Sequence, residues 1–162
     1  MKPAAQRTAL LLGTALLSLG AVAAALWTQH ALDMQPCPWC VLQRLVFVLI
    51  ALVALLGLAW RGAAGTLLTA FLIVALSLSG VAAALWQHFV AAASDSCKLT
   101  WAERIISGLG LDGSLPEIFQ PRASCADAAV KLLGLPYEFW SLMLFMLLGV
   151  MALRLLLQRA SA

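Results

Sequence analysis

The sequence predicts an all-α protein, an integral membrane four-helix bundle with short interfacial helices in a long outer loop. Hydrophobic residues make up 64% of the 162 residues and charged residues only 10%, whereas a soluble domain carries about 25% charged residues. The mean hydropathy is +0.99. A helix needs about 20 apolar residues to cross a bilayer, and four segments of a single membrane domain, residues 1–162, reach this length. They are residues 8–27, 41–60, 66–86 and 139–157.

Aromatic residues mark the ends of these segments. Trp27, Trp60 and Trp86 end the first three, while Tyr137 and Trp140 lie at the start of the fourth. Amphipathic rings of this kind are enriched at the headgroup level of a membrane. The first segment could also be a secretory signal, but its apolar run of about 20 residues exceeds the usual length of roughly 7–15. A first membrane span is therefore favoured.

Small residues at four-residue spacing occur in the first and third segments. Gly20 with Ala24, and Gly80 with Ala84, would let two helices approach closely.

The distribution of charge predicts the orientation of the bundle. One side holds both termini and the short loop between spans two and three, and it carries basic residues without any acid: Lys2, Arg7, Arg61, Arg154 and Arg159. The outer segments, residues 28–40 and 89–138, carry all seven acidic residues. Basic residues close to span ends favour the cytoplasmic side, so both termini are expected there. The net charge of +3 is small and no basic cluster is interleaved with aromatics, which argues against a nucleic-acid partner.

All four cysteines fall in the outer segments. Cys37 and Cys40 form a C-x-x-C motif just before the second span, and Cys97 and Cys125 lie in the long loop. Thiols placed in this way indicate an oxidising compartment. Zinc is disfavoured because no second closely spaced pair exists, and haem attachment is disfavoured because Val41, not histidine, follows the motif. Two structural disulfides remain a possible alternative at this point.

The C-x-x-C motif has the features of a reactive pair. Pro36 or Pro38 suits a first helical turn, which would place both thiols at the N-terminus of the second span, where the helix dipole favours a thiolate. Arg44 follows Cys40 by four residues and shares its helical face. A guanidinium one turn inside the membrane boundary usually serves a functional site, although it could also snorkel to the headgroups.

The long loop contains further helix signals. Thr100 and Glu103 have capping-box spacing and predict a short helix that lies on the membrane. Ser124 and Asp127 predict a second helix that runs to residue 133 and holds Cys125 in its first turn. The glycines and prolines between residues 110 and 121 predict a flexible connector.

Two histidines, His30 and His88, lie just beyond the outer ends of the first and third spans. They are expected to be interfacial, and either could donate a hydrogen bond to the carbonyl of a lipid-soluble cofactor.

The motif set resembles the disulfide bond formation protein B family, the thiol:quinone oxidoreductases of the bacterial inner membrane. The resemblance rests on Pro36-Cys37-x-x-Cys40 with Arg44 beyond it, followed by two loop cysteines between spans three and four. It also covers residues 115–119 ahead of Cys125, and residues 133–136 running into 140–142. Pro38 and Trp39, inside the motif, are not residues that the family requires.

The resemblance implies a path for electrons. Cys97 and Cys125 would form the disulfide offered to a partner, with Cys97 joined to that partner in the mixed disulfide. Electrons would pass to Cys37 and Cys40, with Cys40 closest to a quinone cofactor, ubiquinone or menaquinone, and Arg44 holding it. The implied partner is a soluble periplasmic thioredoxin-like dithiol oxidase, similar to DsbA. The implied location is the inner membrane, with the cysteine loops in the periplasm, and no metal is implied.

Chemical reasoning also favours a lipid-soluble acceptor. Making a disulfide releases two electrons, and the sequence has neither a nucleotide-binding glycine motif nor a haem attachment site. One alternative is an enzyme of the vitamin K epoxide reductase class, in which the loop pair precedes the C-x-x-C instead of following it. Another is a non-enzymatic membrane scaffold with structural disulfides, which would leave Arg44 without a purpose.

Overall fold

Four long helices dominate the computed structural model, which describes residues 3–60, 62–93 and 100–160. The helices are α1 (Pro3–Ala31), α2 (Pro38–Ala59), α3 (Ala63–Trp86) and α7 (Tyr137–Ala160), and α3 continues into a π-helical turn, Gln87–Ala91. All four are long and apolar enough to cross a membrane. The predicted all-α membrane bundle is therefore confirmed. Cys97 lies outside the described residues.

The helices pack in a ring that follows the order of the chain. α1 packs on α2, α2 on α3 and α3 on α7, while α1 and α7 close the ring with a less extensive contact. The centre of the bundle is apolar, and Phe47 of α2 stacks on Phe145 of α7 with ring centroids 4.0 Å apart. One end of the bundle, called here the cysteine end, holds the C-terminus of α1 and the N-termini of α2 and α7.

The small residues predicted to allow close helix contacts do so in only one of the two places. A Cβ atom on Gly80 would lie 2.5 Å from the Phe145 ring, so α3 and α7 approach closely there. Gly20 has open space beside it and Ala24 is exposed. The prediction was therefore right for Gly80 with Ala84 and wrong for Gly20 with Ala24, because no atom of the described residues lies within 4 Å of a Cβ added at Gly20.

In the outer segment after α3, the described residues resume at Thr100 and begin with the predicted short helix. In α4 (Trp101–Gly108), Thr100 and Glu103 form the complete capping box. The helix buries Ile106 against Val41 of α2 and leaves Trp101 71% exposed, as expected for a helix at a membrane surface. Two short helices follow, α5 (Leu111–Ser114) and α6 (Pro116–Phe119), where the sequence predicted a flexible connector.

The predicted helix after Ser124 is wrong beyond its first turn. Ser124 Oγ accepts the backbone N–H of Asp127 at 3.1 Å as a cap would, but the chain then forms a small hairpin of β1 (Lys131–Leu132) and β2 (Leu135–Pro136). Leu133 and Gly134 have φ angles of 53° and 84°, which suit a two-residue hairpin turn and not a helix. The hairpin returns the chain to the start of α7.

Candidate active site

Cys37 and Cys40 lie at the N-terminus of α2, as the proline pattern predicted. Cys37 is the N-cap residue, and its Sγ accepts the backbone N–H of Cys40 at 3.2 Å. Pro38 occupies the first helical position, where its missing N–H costs nothing. The Sγ atoms of the two cysteines are 2.7 Å apart. One backbone donor of α2, the N–H of Cys40, is therefore directed at the Cys37 sulfur.

Cys125 contacts Cys37, although the two residues are far apart in the chain. Both side chains are buried in one cluster at the cysteine end, and their thiols are hydrogen bonded to each other. Two backbone N–H groups of the outer segment, those of Arg122 and Ala123, donate to the Pro36 carbonyl at 2.9 and 3.3 Å. These bonds fasten the outer segment over the C-x-x-C motif. The implied passage of electrons from the loop pair to the C-x-x-C pair requires such an approach, but the sequence did not indicate which two sulfurs meet.

The contact gives the two sulfurs opposite acidities. Burial raises the pKa of Cys37 well above its usual value, and the hydrogen bond with Cys125 raises it further. The same hydrogen bond lowers the pKa of Cys125, assisted by the backbone N–H of Trp39. Cys37 is thus the proton donor and Cys125 the better thiolate. The sequence predicted an acidified Cys125 from its place in a helix turn, but the cause is the Cys37 thiol.

Two buried glutamines, which no sequence pattern had singled out, form a hydrogen-bonded chain that ends on Cys40. The Gln87 side chain donates to Cys40 Sγ at 3.2 Å, and Gln43 donates to Gln87 Oε1 at 2.7 Å. Both glutamines are at most 3% exposed. A polar residue within an apolar span often has a functional role, and this rule could have singled out both. The arrangement fixes a hydrogen-bond donor on the sulfur that faces the interior of the bundle.

Arg44 is buried and does not snorkel, since only 5% of the residue is exposed. Its Nη1 donates to Gln29 Oε1 at 2.8 Å and to the Ile118 carbonyl at 3.1 Å, and Nη2 donates to the Ala25 carbonyl at 3.4 Å. Its Nε is buried and makes no hydrogen bond within the part of the chain that the structure describes. The guanidinium therefore joins α1, α2 and the outer segment and keeps a donor free. Gln29 was not predicted.

A cavity of about 520 Å³ connects Cys40 with Arg44. Its size lies within the range of roughly 300–1,000 Å³ typical of small-molecule sites. Phe47 of α2 and Leu144 and Leu147 of α7 contribute apolar walls, while Cys40 and Arg44 contribute polar groups. The arrangement suits a largely apolar ligand that carries a polar group near Cys40 and Arg44.

Each of the two histidines pairs with a glutamate. His30 Nε2 lies 3.2 Å from Glu117 Oε2, and both side chains are exposed. His88 Nδ1 lies 2.6 Å from Glu138 Oε1, in a pair that is largely buried. Neither histidine lines the cavity. The expectation that one of them could reach a cofactor carbonyl is therefore not supported.

Comparisons with known proteins agree in pointing to a single family. A family model described as disulfide bond formation protein DsbB matches residues 6–155. A disulfide bond formation protein B of Pseudomonas syringae pv. tomato is 35% identical over 147 residues, covering 90% of this chain and 86% of that protein. Its counterpart in Aromatoleum aromaticum is 34% identical over 155 residues, with 93% of each chain covered. Another, from Burkholderia pseudomallei, is 32% identical over 142 residues.

Proposed function

This chain belongs to the disulfide bond formation protein B family, and from that membership we propose that it oxidises a soluble dithiol protein and passes the electrons to a membrane quinone. The proposal makes it a thiol:quinone oxidoreductase that sustains disulfide bond formation. One observation carries it: the Cys37 thiol contacts both Cys40 and Cys125, beside a cavity lined by Arg44. Cys125 of the outer segment and Cys40 of α2 can thus each form a disulfide with Cys37.

The first two exchanges bring electrons inward. A thiolate of the partner attacks Cys97 in a Cys97–Cys125 disulfide, forms a mixed disulfide and releases Cys125 as a thiolate. Cys125, toward which the backbone N–H of Trp39 is directed, then attacks Cys37 in a Cys37–Cys40 disulfide. The Cys37–Cys125 bond forms and Cys40 leaves as a thiolate. The contact between Cys37 and Cys125 lets this step proceed without a large movement of either segment.

Two further exchanges complete the oxidation of the partner. The partner's second thiol attacks the mixed disulfide, so that the partner leaves with its own disulfide and Cys97 becomes a thiolate. Cys97 then attacks Cys125, restores the outer disulfide and frees Cys37. Cys37 and Cys40 now hold the two electrons taken from the partner. Their reoxidation to a disulfide requires an acceptor of two electrons beside Cys40.

The cavity fits a quinone as that acceptor. A bound quinone, ubiquinone or menaquinone, supplies a lipid-soluble group that takes up two electrons and two protons. Arg44 is suited to hold a quinone oxygen, because its buried Nε has no other partner among the described residues. Gln87 donates a hydrogen bond that stabilises the Cys40 thiolate. The apolar walls match an isoprenoid tail and exclude water from the charged groups.

The proposal also covers location and orientation. Four helices able to span a membrane, together with the family, make this a multi-pass membrane protein. We place it in a bacterial inner membrane, with both termini in the cytoplasm. This orientation is supported by the basic residues, which are concentrated on the side of the bundle that holds the two termini. The cysteine end then lies in the periplasm, where a thioredoxin-like dithiol oxidase similar to DsbA has access.

The decisive experiment is quinone reduction by the purified protein, measured with a reduced dithiol oxidase as electron donor. The wild-type protein is expected to turn over repeatedly. Cys40→Ser is expected to remain folded, by circular dichroism, but to lose quinone reduction, because no other described thiol lines the cavity. Met143→Leu, a substitution of similar volume in the cavity wall, serves as the matched control and should retain turnover. Wild-type protein that reduces no quinone, or Cys40→Ser protein that reduces it normally, would refute the assignment.

A further inference from the structure

The buried pair of His88 and Glu138 has no role in the thiol exchanges described above. Glu138 lines the cavity, its side chain is 5% exposed, and its Oε1 lies 2.6 Å from His88 Nδ1. The second oxygen, Oε2, is buried and makes no hydrogen bond with any residue that the structure describes. A buried carboxyl oxygen without a partner is costly and calls for an explanation.

His88 connects this carboxyl group with the outside of the bundle. Its side chain is 33% exposed, whereas the Glu138 side chain is almost fully enclosed. The ring is held edge-on between Phe89 and Phe139, with centroid distances of 4.8 Å to each. An imidazole held in this way can take a proton from water at Nε2 and pass one from Nδ1 to the carboxyl group. The pair thus forms a continuous link from the surface to the cavity wall.

The proposed reaction needs such a link. Reduction of a quinone by the dithiol of Cys37 and Cys40 forms one disulfide bond and adds two electrons and two protons to the quinone. Cys40 reacts as a thiolate and brings no proton of its own, so the dithiol supplies only one of the two protons, that of the Cys37 thiol. The protons released from the partner's thiols enter the water at the cysteine end, and at least one must reach the cavity, which is walled mainly by apolar side chains.

We propose that Glu138 is the proton donor to the quinone in this cavity and that His88 returns a proton to it from the surrounding water. This inference rests on the proposed quinone reduction and deepens it. Glu138 gives its proton to the reduced quinone oxygen, and His88 then donates a proton through Nδ1 to restore the carboxyl group. His88 recovers that proton from water at Nε2. The two electrons follow a separate route, through Cys40.

The other titratable groups of the cavity are less suited to this task. Besides Glu138 they are Cys40, Arg44 and Tyr137. Cys40 carries the electrons, and a guanidinium does not release its proton in proteins. The Tyr137 hydroxyl is hydrogen bonded with Thr28 Oγ1 at 3.1 Å. The charged or titratable group in contact with His88, among the described residues, is Glu138 itself.

The kinetic test uses Glu138→Gln, which preserves the size of the side chain and a hydrogen-bond acceptor for His88. Because a positioned proton donor contributes roughly 10²–10⁴-fold to a rate, kcat for quinone reduction should fall by about tenfold or more. The KM for quinone should change by less than about twofold. His88→Ala should show a similar loss, and added imidazole should restore part of its rate. Glu117→Gln is the matched control, since it alters the exposed His–Glu pair outside the cavity and should leave kcat unchanged.

A second measurement does not depend on turnover. An apolar carbodiimide labels carboxyl groups that take up protons in apolar surroundings, and mass spectrometry locates the adduct. In quinone-free protein we expect labelling at Glu138 and none at the exposed Glu117. A soluble short-chain quinone should protect Glu138 from the carbodiimide, because the quinone would fill the cavity that Glu138 lines.

The outcomes separate this inference from the proposed function. If the wild-type protein reduces no quinone, the proposed function fails regardless of the labelling. If it reduces quinone, but Glu138→Gln keeps the wild-type kcat or the carbodiimide spares Glu138, the proton route is wrong while the proposed function stands. A loss of kcat in Glu138→Gln without rescue of His88→Ala by imidazole would overturn the part assigned to His88.

Discussion

At the scale of single residues, Cys37 unites the two cysteine segments. It caps α2 and contacts Cys40 on the inner side and Cys125 on the outer side. Its side chain is fully enclosed, and this burial raises the pKa of its thiol. When Cys37 is bonded to one neighbour in a disulfide, its sulfur is open to attack by the other, whereas the raised pKa makes the free Cys37 thiol a poor nucleophile. The neighbours therefore act as nucleophiles toward it.

The lowered pKa of Cys125 leads to a testable pH dependence. A thiol with a lowered pKa stays ionised at lower pH, so labelling of Cys125 by iodoacetamide should reach half its maximal rate below the usual cysteine value of about 8.5. The measurement uses protein with Cys40→Ser and Cys97→Ser, kept reduced by a phosphine. Adding Cys37→Ala removes the hydrogen-bond donor and should move the midpoint upward. An unchanged midpoint would show that Cys37 does not set the acidity of Cys125.

The sequence revealed Arg44 and the cysteines of the site but neither its amides nor Glu138. Cys37, Cys40 and Arg44 share a helical face, so their proximity follows from helical spacing alone. Gln29 and Gln87 come from α1 and from the end of α3, and their contacts depend on how three helices meet. Such contacts are set by tertiary packing, which no local pattern encodes.

At the scale of helices, the contact between α3 and α7 is closest at Gly80. Three ring atoms of Phe145 would lie within 2.6 Å of an added Cβ, and Phe145 itself is stacked on Phe47. The ring therefore has little freedom to withdraw. This contact holds α7, which carries Glu138 and much of the cavity wall, against α3.

Gly80→Ala is expected to destabilise the bundle by about 1–3 kcal/mol, the usual cost of overpacking a core. Gly20→Ala is the matched control, because nothing lies within 4 Å of the added methyl group. It should be neutral or slightly stabilising, since alanine is the better helix former. Thermal unfolding in detergent micelles measures both. Equal stability of the two variants would contradict the close contact.

The outer segment illustrates which local patterns are predictive. The capping box at Thr100 and Glu103 forms as the sequence predicted, because both partners lie within one turn. The cap at Ser124 also forms, but the helix that should follow it does not. Val130 bonds back to Ala128, and the backbone of Tyr137 donates to the Val130 carbonyl. The return of the chain to α7 thus overrides the local preference for a helix.

At the scale of the whole molecule, the proposed electron path crosses from the outer segment to the bundle at the contact between Cys125 and Cys37. A reduced partner that retains only its attacking cysteine would stop the cycle after two exchanges. Mass mapping under non-reducing conditions should then find the partner joined to Cys97 and a disulfide between Cys37 and Cys125. With Cys37→Ser, the partner should still attach to Cys97, but Cys125 should remain a thiol. A disulfide between Cys125 and Cys40 in the wild-type protein would contradict this order.

The π-helical turn at the end of α3 begins with two neighbouring residues that contact the site. Ala92 bonds to the Gln87 carbonyl five residues back, so the turn holds one residue more than an α-helical turn. Gln87 reaches Cys40, and His88, the next residue, reaches Glu138. Loss of one residue from this turn would restore α-helical spacing and rotate the downstream residues by about 100°. The wide turn is therefore a point at which an insertion or deletion during evolution could redirect one of these contacts while every cysteine of α2 stayed in place.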